Sequence, residues 1–257
     1  MAGSKRKYIL TPRDMALLRS LALLLVIDRA QATQIGSFGS VTRVNTRLLA
    51  LTRMGLLKRF FVGTSVGTKK SVYCLTRAGA GIAGVPYRRI KITTDQTIGT
   101  SLFLEHQLLL NDLYLLTKSS PEFPVTVAAW RYFQEPIAPG SALTPDGYFE
   151  FSNGSLDVRP VFVELDLSTE TSRVWRRKID AYLQLATSTE FSRIFGHRHF
   201  RVAVITTSDS RLKLIRRVIA ERTDKVFFLA TLQDIKSAGF WSSIWSRPAG
   251  DEKHAFL

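Results

Sequence analysis

The chain has 257 residues, 45% hydrophobic and 22% charged, with nine prolines and one cysteine. Such composition is ordinary for a globular protein and excludes disordered, collagenous and low-complexity readings. A lone Cys74 excludes a disulfide framework or a cysteine-rich zinc site and fits a reducing, cytoplasmic compartment.

The formal net charge of +15 is segregated. Residues 1–91 hold 17 Lys and Arg against only Asp14 and Asp28, whereas residues 92–257 hold 19 of each sign. A uniform bias would be a solubility trait; a segregated one marks a polyanion-binding module joined to a neutral body. Nucleic acid is preferred to a membrane surface, because the sequence has no lipidation signal and no long basic amphipathic helix. The longest apolar run, residues 21–27, has seven residues, against the roughly 20 needed to span a bilayer, so no membrane insertion is expected. A basic start, that run and Ala30-Gln31-Ala32 mimic a secretory signal, but Arg19, Asp28 and Arg29 interrupt it.

In chain order, Thr11 and Pro12 supply an N-cap and a first helical residue. Met15, Leu18, Leu21, Ala22 and Leu25 then recur at helical spacing. Residues 33–38 read as a short second helix. Ser40 caps a third, running to about Met54, with Val44, Leu48 and Leu51 facing inward and Arg43, Thr46, Arg47, Ala50 and Arg53 mostly outside that face. Gly55 stops it. Residues 56–62 and 69–75 read as two strands around a glycine turn at 63–67, and Thr76 caps a further helix. Three helices followed by a basic-tipped hairpin predict a winged helix-turn-helix over residues 1–91. Its third helix would read the major groove through Arg43, Thr46, Arg47 and Arg53, and Lys69 and Lys70 on the wing would touch phosphate. The alternatives are a solvated helix face and a lysine-guarded hairpin edge.

The second domain, residues 92–257, alternates helices and strands. A helix with apolar residues nearly all round covers 102–118, followed by strands at 125–133, 147–151 and 159–167. The turn signal Asn153-Gly154 separates the last two. Thr169 caps a helix over 170–185, followed by a strand at 201–206, a helix at 211–221 and a strand at 226–231. The tail from Trp241, with Trp245 and Pro248, is expected to pack loosely or dock on a partner.

Pro145-Asp146 and Glu164-Leu165-Asp166 are the main chemical candidates. Side chains two apart on a strand share a face, so Glu164 and Asp166 point together, and a short connection after Phe151 places Asp146 opposite Glu164. Three converging carboxylates repel unless they hold a cation, and Mg²⁺ or Mn²⁺ there would polarise a phosphodiester. A solvated hairpin with ordinary surface acids is the alternative.

The helix–strand order with Pro145-Asp146 and Glu164-x-Asp166 resembles the PD-(D/E)xK restriction-endonuclease-like fold. The wider set resembles plasmid replication-relaxation proteins, a group similar to MobC-class relaxases. That set is Leu10-Thr11-Pro12-Arg13-Asp14, Tyr73-Cys74-Leu75-Thr76-Arg77-Ala78-Gly79, Glu105-His106, Pro145-Asp146-Gly147, Glu164-Leu165-Asp166, Thr169-Glu170, Lys178 and Tyr182. The resemblance covers roughly residues 10–207. It implies an α/β chain with a winged helix followed by an αβββαβ nuclease-like domain, and metal-dependent nicking of a plasmid or mobile-element origin in double-stranded DNA. It implies metal ligands at Asp146, Glu164 and Asp166, and work alongside other mobilisation or replication proteins. Asp166 stands where such nucleases usually carry lysine, so the catalytic cation must come from elsewhere, with Lys178 and Arg173 as candidates.

A degenerate nuclease fold acting as a non-catalytic DNA-binding accessory or transcription factor is the alternative function. Glu105-His106 reads either as a further carboxylate contribution or as a helix start with a core histidine. His197-Arg198-His199 mimics a two-histidine metal motif, but its charged middle residue contradicts that reading. A nucleotide motor is not expected, because the sequence has no glycine-rich phosphate loop.

Overall fold

The structure, a computed structural model, describes residues 9–63, 69–90, 102–118, 125–154 and 157–257. The expected domain boundary at 91/92 and most of the expected wing turn lie outside the described residues. The chain divides into two compact units, Met1–Asp112 and Leu113–Leu257.

In the first unit, Thr11 caps helix α1 (Pro12–Leu24) and Asp14 completes a capping box, so two of the orphan amide donors at the helix start are satisfied reciprocally. Leu18 and Leu21 are buried as expected, whereas Met15 and Ala22 are only half-buried. Leu25 then adopts φ 65°, a left-handed turn that ends the helix. Strand β1 (Val26–Asp28) follows, in a stretch to which the sequence reading assigns no element. Asp28 caps α2 (Arg29–Ile35) in a second box with Gln31. The second helix thus starts at Arg29 rather than within 33–38, because Asp28 acts as a cap and not as an interruption.

Ser40 caps α3 (Val41–Arg53), which buries Val44, Leu48 and Leu51 as expected, and Ala50 as well. Strands β2 (Leu57–Gly63) and β3 (Lys69–Leu75) pair antiparallel, and β1 takes the other edge of β3, giving the order β1-β3-β2. Thr76 caps α4 (Arg77–Ala83). Gly79 belongs where it is: a Cβ there would meet the Leu56 carbonyl oxygen at 2.1 Å. Helix α5 (Leu102–Lys118) buries Leu104 and Leu108 with Val26, Val62, Val72 and Cys74. Its Asn111 amide donates to the carbonyls of Leu24 and Val26, which satisfies a buried polar group and two backbone acceptors at the break between α1 and β1.

The second unit is built on a seven-stranded mixed sheet of order β10-β9-β8-β7-β6-β5-β4. Its strands are β4 (Thr126–Tyr132), β5 (Gly147–Ser152), β6 (Arg159–Asp166), β7 (Arg201–Thr206), β8 (Phe227–Thr231), β9 (Trp245–Ser246) and β10 (Lys253–His254). β6, β7 and β8 run parallel and the other pairs antiparallel. Helices α6 (Ser172–Thr187), α7 (Glu190–Phe195), α8 (Asp209–Ala220) and α9 (Leu232–Ala238) complete the unit.

Trp175, Ile179 and Tyr182 of α6 and Leu212, Ile215 and Ile219 of α8 pack on Tyr148, Phe162, Val202, Val204 and Phe227. β6 is therefore buried on both faces, as a central strand of a covered sheet should be. Two sequence expectations are corrected. Helix α6 is capped by Thr171, not Thr169, because Ser168 at φ 67° adds a turn after β6. The tail does not pack loosely: Phe240, Trp241, Trp245 and Phe256 are at most 1% exposed and form an aromatic cluster with Phe149 and Phe151. Trp241 and Trp245 both donate their indole N–H to backbone carbonyls, which makes burial of these large amphipathic rings favourable.

Candidate functional site

In the first unit the helical cap at Ser40 and the inward stripe of α3 leave Arg43, Thr46 and Arg53 exposed. Arg47 behaves differently. Its Nε donates to Asp14 Oδ1 at 2.5 Å and its Nη2 to Asp14 Oδ2 and to the Ile9 carbonyl. Burial pushes the Asp14 carboxyl up, but hydrogen bonds from Arg47 and Thr11 outweigh it and hold the group below its ordinary range. Of the expected reading residues, the structure places three on the open helix face and spends the fourth on the fold.

Lys69 and Lys70 are exposed at the start of β3, with Lys70 ion-paired to Asp28. A cavity of about 480 Å³ is lined by Arg29, Asn45, Lys69, Lys70 and Tyr73 among others. Sequence reasoning missed Lys58 and Arg59 on β2, exposed and stacked over Phe60 and Phe61. Two adjacent basic residues on a strand of the basic hairpin were the signal available for them.

The second unit gathers acids on one face of its sheet. Gly147 pairs with Val163, so the next step along each strand sets Asp146 across from Glu164. Asp146 Oδ2 accepts the Leu165 N–H at 2.7 Å. Glu164 is 1% exposed; Lys178 Nζ donates to its Oε2 at 2.8 Å and the Tyr182 hydroxyl to its Oε1 at 2.6 Å. Lys178 and Tyr182 are four apart on α6 and so share a helical face. Lys178 also reaches Glu170 Oε1 at 2.7 Å, while the buried Glu170 Oε2 has no hydrogen-bond partner.

Burial pushes the Glu164 carboxyl up to about 7; Lys178 opposes the rise and repulsion from Asp146 adds to it. Burial alone would lower the Lys178 ammonium, but Glu164 and Asp146 raise it above its usual range. A buried carboxylate paired with a fixed cation, with a second carboxylate beside it, is an arrangement that can stabilise charge on a reacting group.

Asp166 lies on the same face but has other partners. Arg211 donates to both of its oxygens at 2.8 and 2.7 Å, Trp175 Nε1 donates to Oδ2 at 2.7 Å, and the Ser168 N–H donates to Oδ1 at 2.6 Å. Burial pushes this carboxyl up, but the Arg211, Trp175 and Ser168 bonds hold it below its ordinary range. The structure therefore brings together Asp146, Glu164 and Lys178 of the expected set and gives Asp166 a fork of its own. Among the described residues no group of three or more His, Cys, Asp or Glu side chains is arranged for a metal ion. Both Glu164 oxygens are taken up by Lys178 and Tyr182, and Asp146 Oδ2 by the Leu165 N–H.

Sequence reasoning placed Glu170 at the start of a helix and among the residues of the family resemblance, and did not single out Arg211, whose position in the first turn of α8 carries no local signal. Arg173 is exposed on α6. In the first unit, Glu105 is exposed and His106 half-buried. Cys74 is buried and its thiol is pushed up to about 11 by that burial, which makes it a core residue rather than a nucleophile.

No helix among the described residues is long and apolar enough to cross a membrane. Comparison with curated proteins and with solved structures gave no match. The replication-relaxation family model matches residues 18–196, a span that runs from α1 through α7 and includes α3, β2, β3, Asp146, Glu164 and Lys178. With more than half of its length matched, the chain belongs to the replication-relaxation family.

Proposed function

We propose that this chain is a DNA-binding protein of plasmid replication or mobilisation, whose first unit works as a winged helix. The observation that carries the reading is the open face of α3. Arg43, Thr46 and Arg53 are exposed there, in the part of the chain that holds the whole excess of positive charge, with Lys69 and Lys70 at the strand ends beside the wing turn. A helix of this kind reads base edges, and flanking lysines hold phosphate. The family supports the same role. Fluorescence anisotropy of the full chain on duplex origin DNA tests it: affinity should fall steeply with salt, because counterions are released on binding. Binding that is indifferent to salt, or unchanged by Arg43→Ala with Lys69→Ala, overturns the reading.

A second activity is suggested by the convergence of Asp146, Glu164 and Lys178 in the α/β unit: metal-dependent nicking of the bound origin. An ion such as Mg²⁺ or Mn²⁺ would be held by two carboxylates and water once Lys178 and Tyr182 yield Glu164, not by a three-carboxylate cage, since Arg211 occupies Asp166. Such an ion supplies Lewis acidity toward a phosphodiester. Asp146 and Glu164 would hold it, and Lys178 would place positive charge beside them, filling the role of the lysine that Asp166 replaces.

Supercoiled plasmid carrying the chain's own origin, incubated with Mg²⁺, Mn²⁺ or EDTA, should be nicked only with metal. Asp146→Asn and Glu164→Gln should abolish nicking and shrink the metal-induced rise in Tm while duplex binding holds. If the wild type neither nicks nor gains stability with metal, the chain is a non-catalytic DNA-binding accessory.

A further inference from the structure

We propose that the basic cavity at the start of β6 and β7 is a phosphate-binding site, distinct from the acid–lysine cluster. The cavity measures about 450 Å³ and is lined by Arg159, His197, Arg198, His199 and Arg201, with Asp157 as its one acid. That volume is in the range of small-ligand sites. Arg159 opens β6 and Arg201 opens the adjacent parallel strand, in register with Val161. Glu164 is five residues further along β6, roughly 16 Å away at the usual rise of a strand.

Arg201 is built in. Its guanidinium lies over Phe228 at 5.1 Å and over Phe256 at 5.7 Å and donates to the Phe256 carbonyl. Among the described residues it makes no ion pair with a carboxylate. Among the described residues Arg159 ion-pairs with Asp157, at 3.3 Å, with that acid's side chain 70% exposed, a pairing of little worth in water. Arg198 is exposed, without a described ion pair. Burial lowers the proton affinity of Arg201, the nearby Arg159 and Arg247 lower it further, and Asp157 opposes them only in part.

The loop that carries Arg198 has a defined shape. Gly196 turns at φ 77°, its N–H donates to the Ser192 carbonyl at 2.9 Å, and Ser192 Oγ donates to the His197 carbonyl at 2.8 Å. His197 Nε2 lies 3.4 Å from Glu150. Like charges crowded on one cavity destabilise each other, and an anion relieves that repulsion. Planar arginine forks match phosphate oxygens in pairs, so a phosphate ester fits this lining. A metal does not, because three guanidiniums would repel it.

The site does not depend on the DNA-reading helix, and full-chain variants separate the two. Wild type, an Arg159→Ala/Arg198→Ala double variant and a Lys69→Ala/Lys70→Ala control are titrated with inorganic phosphate, deoxyadenosine monophosphate and a 5′-phosphorylated oligothymidine. Binding is read by calorimetry and by Tm at matched ionic strength in chloride. Phosphate and the mononucleotide should raise Tm in the wild type and the control, with affinity roughly tenfold lower in the double variant. Arg198→Lys, which keeps the charge without the fork, should fall between. Competition between the oligonucleotide and the mononucleotide at this cavity identifies a DNA strand as the source of the phosphate, and saturation by the mononucleotide alone identifies a free nucleotide. Equal Tm shifts in wild type and double variant, or none in the wild type with any probe, overturn the proposal.

Discussion

Arg47 and Asp14 form a two-bonded ion pair between α3 and the first turn of α1. Asp14 is 1% exposed and also closes the capping box of α1, so one carboxylate holds both the start of α1 and the tie to α3. Arg47→Ala strands a buried charge and should cost about 2–4 kcal/mol of stability. Urea unfolding measures it. A loss within experimental error would mean that water replaces the guanidinium fully.

The same pair sets an acid limit. Asp14 and Asp166 are both held below their ordinary range in the fold, so the unfolded chain takes up protons first as pH falls. Their contribution is complete above about pH 4, near the ordinary value, and is lost as pH drops through the lower folded values. Unfolding free energy measured down to pH 2.5 should fall along this limb, and Asp166→Asn should flatten it.

Sequence preference and general affinity should separate within the first unit. Arg43→Ala should reduce discrimination between the origin and random duplex by about 1–3 kcal/mol, whereas Lys69→Ala should weaken both duplexes alike and lower the salt slope by about one. Competition assays at two salt concentrations show the difference. Equal losses on both DNAs for both variants would remove α3 from base reading.

Phe256 is fully buried against Phe228, Phe240 and Trp245. Phe256→Ala should cost about 3–5 kcal/mol and, through the Arg201 stacking it removes, weaken phosphate binding at the basic cavity. Thermal unfolding with and without phosphate tests both effects together.

Elements with a local chemical signature were legible in the sequence. Thr11, Ser40 and Thr76 cap the helices they were assigned, and β5 to β8 lie close to their expected ranges. What escaped was set by tertiary partners. β1 exists because β3 offers it an edge, and its Val26-Ile27 pattern suits a helix equally well. In the site, period-two alternation set Glu164 and Asp166 on one face, but alternation says nothing of Arg211, 45 residues later, which takes Asp166 out of the cluster. Lys178 was named in the sequence beside Arg173 as a candidate cation on the following helix, and only the fold separates the two, setting Lys178 on Glu164 and leaving Arg173 exposed.

The aromatic layer also dictates an order of assembly. β4 to β8 leave the ribosome before Phe240, Trp241, Trp245 and Phe256, so Phe151, and the side of Phe149 not stacked on Trp130, await their cover while the sheet forms. Nascent chains stalled before Phe240 should present that apolar sheet face to chaperones, and release of the last aromatic residue should bring protease resistance in one late step.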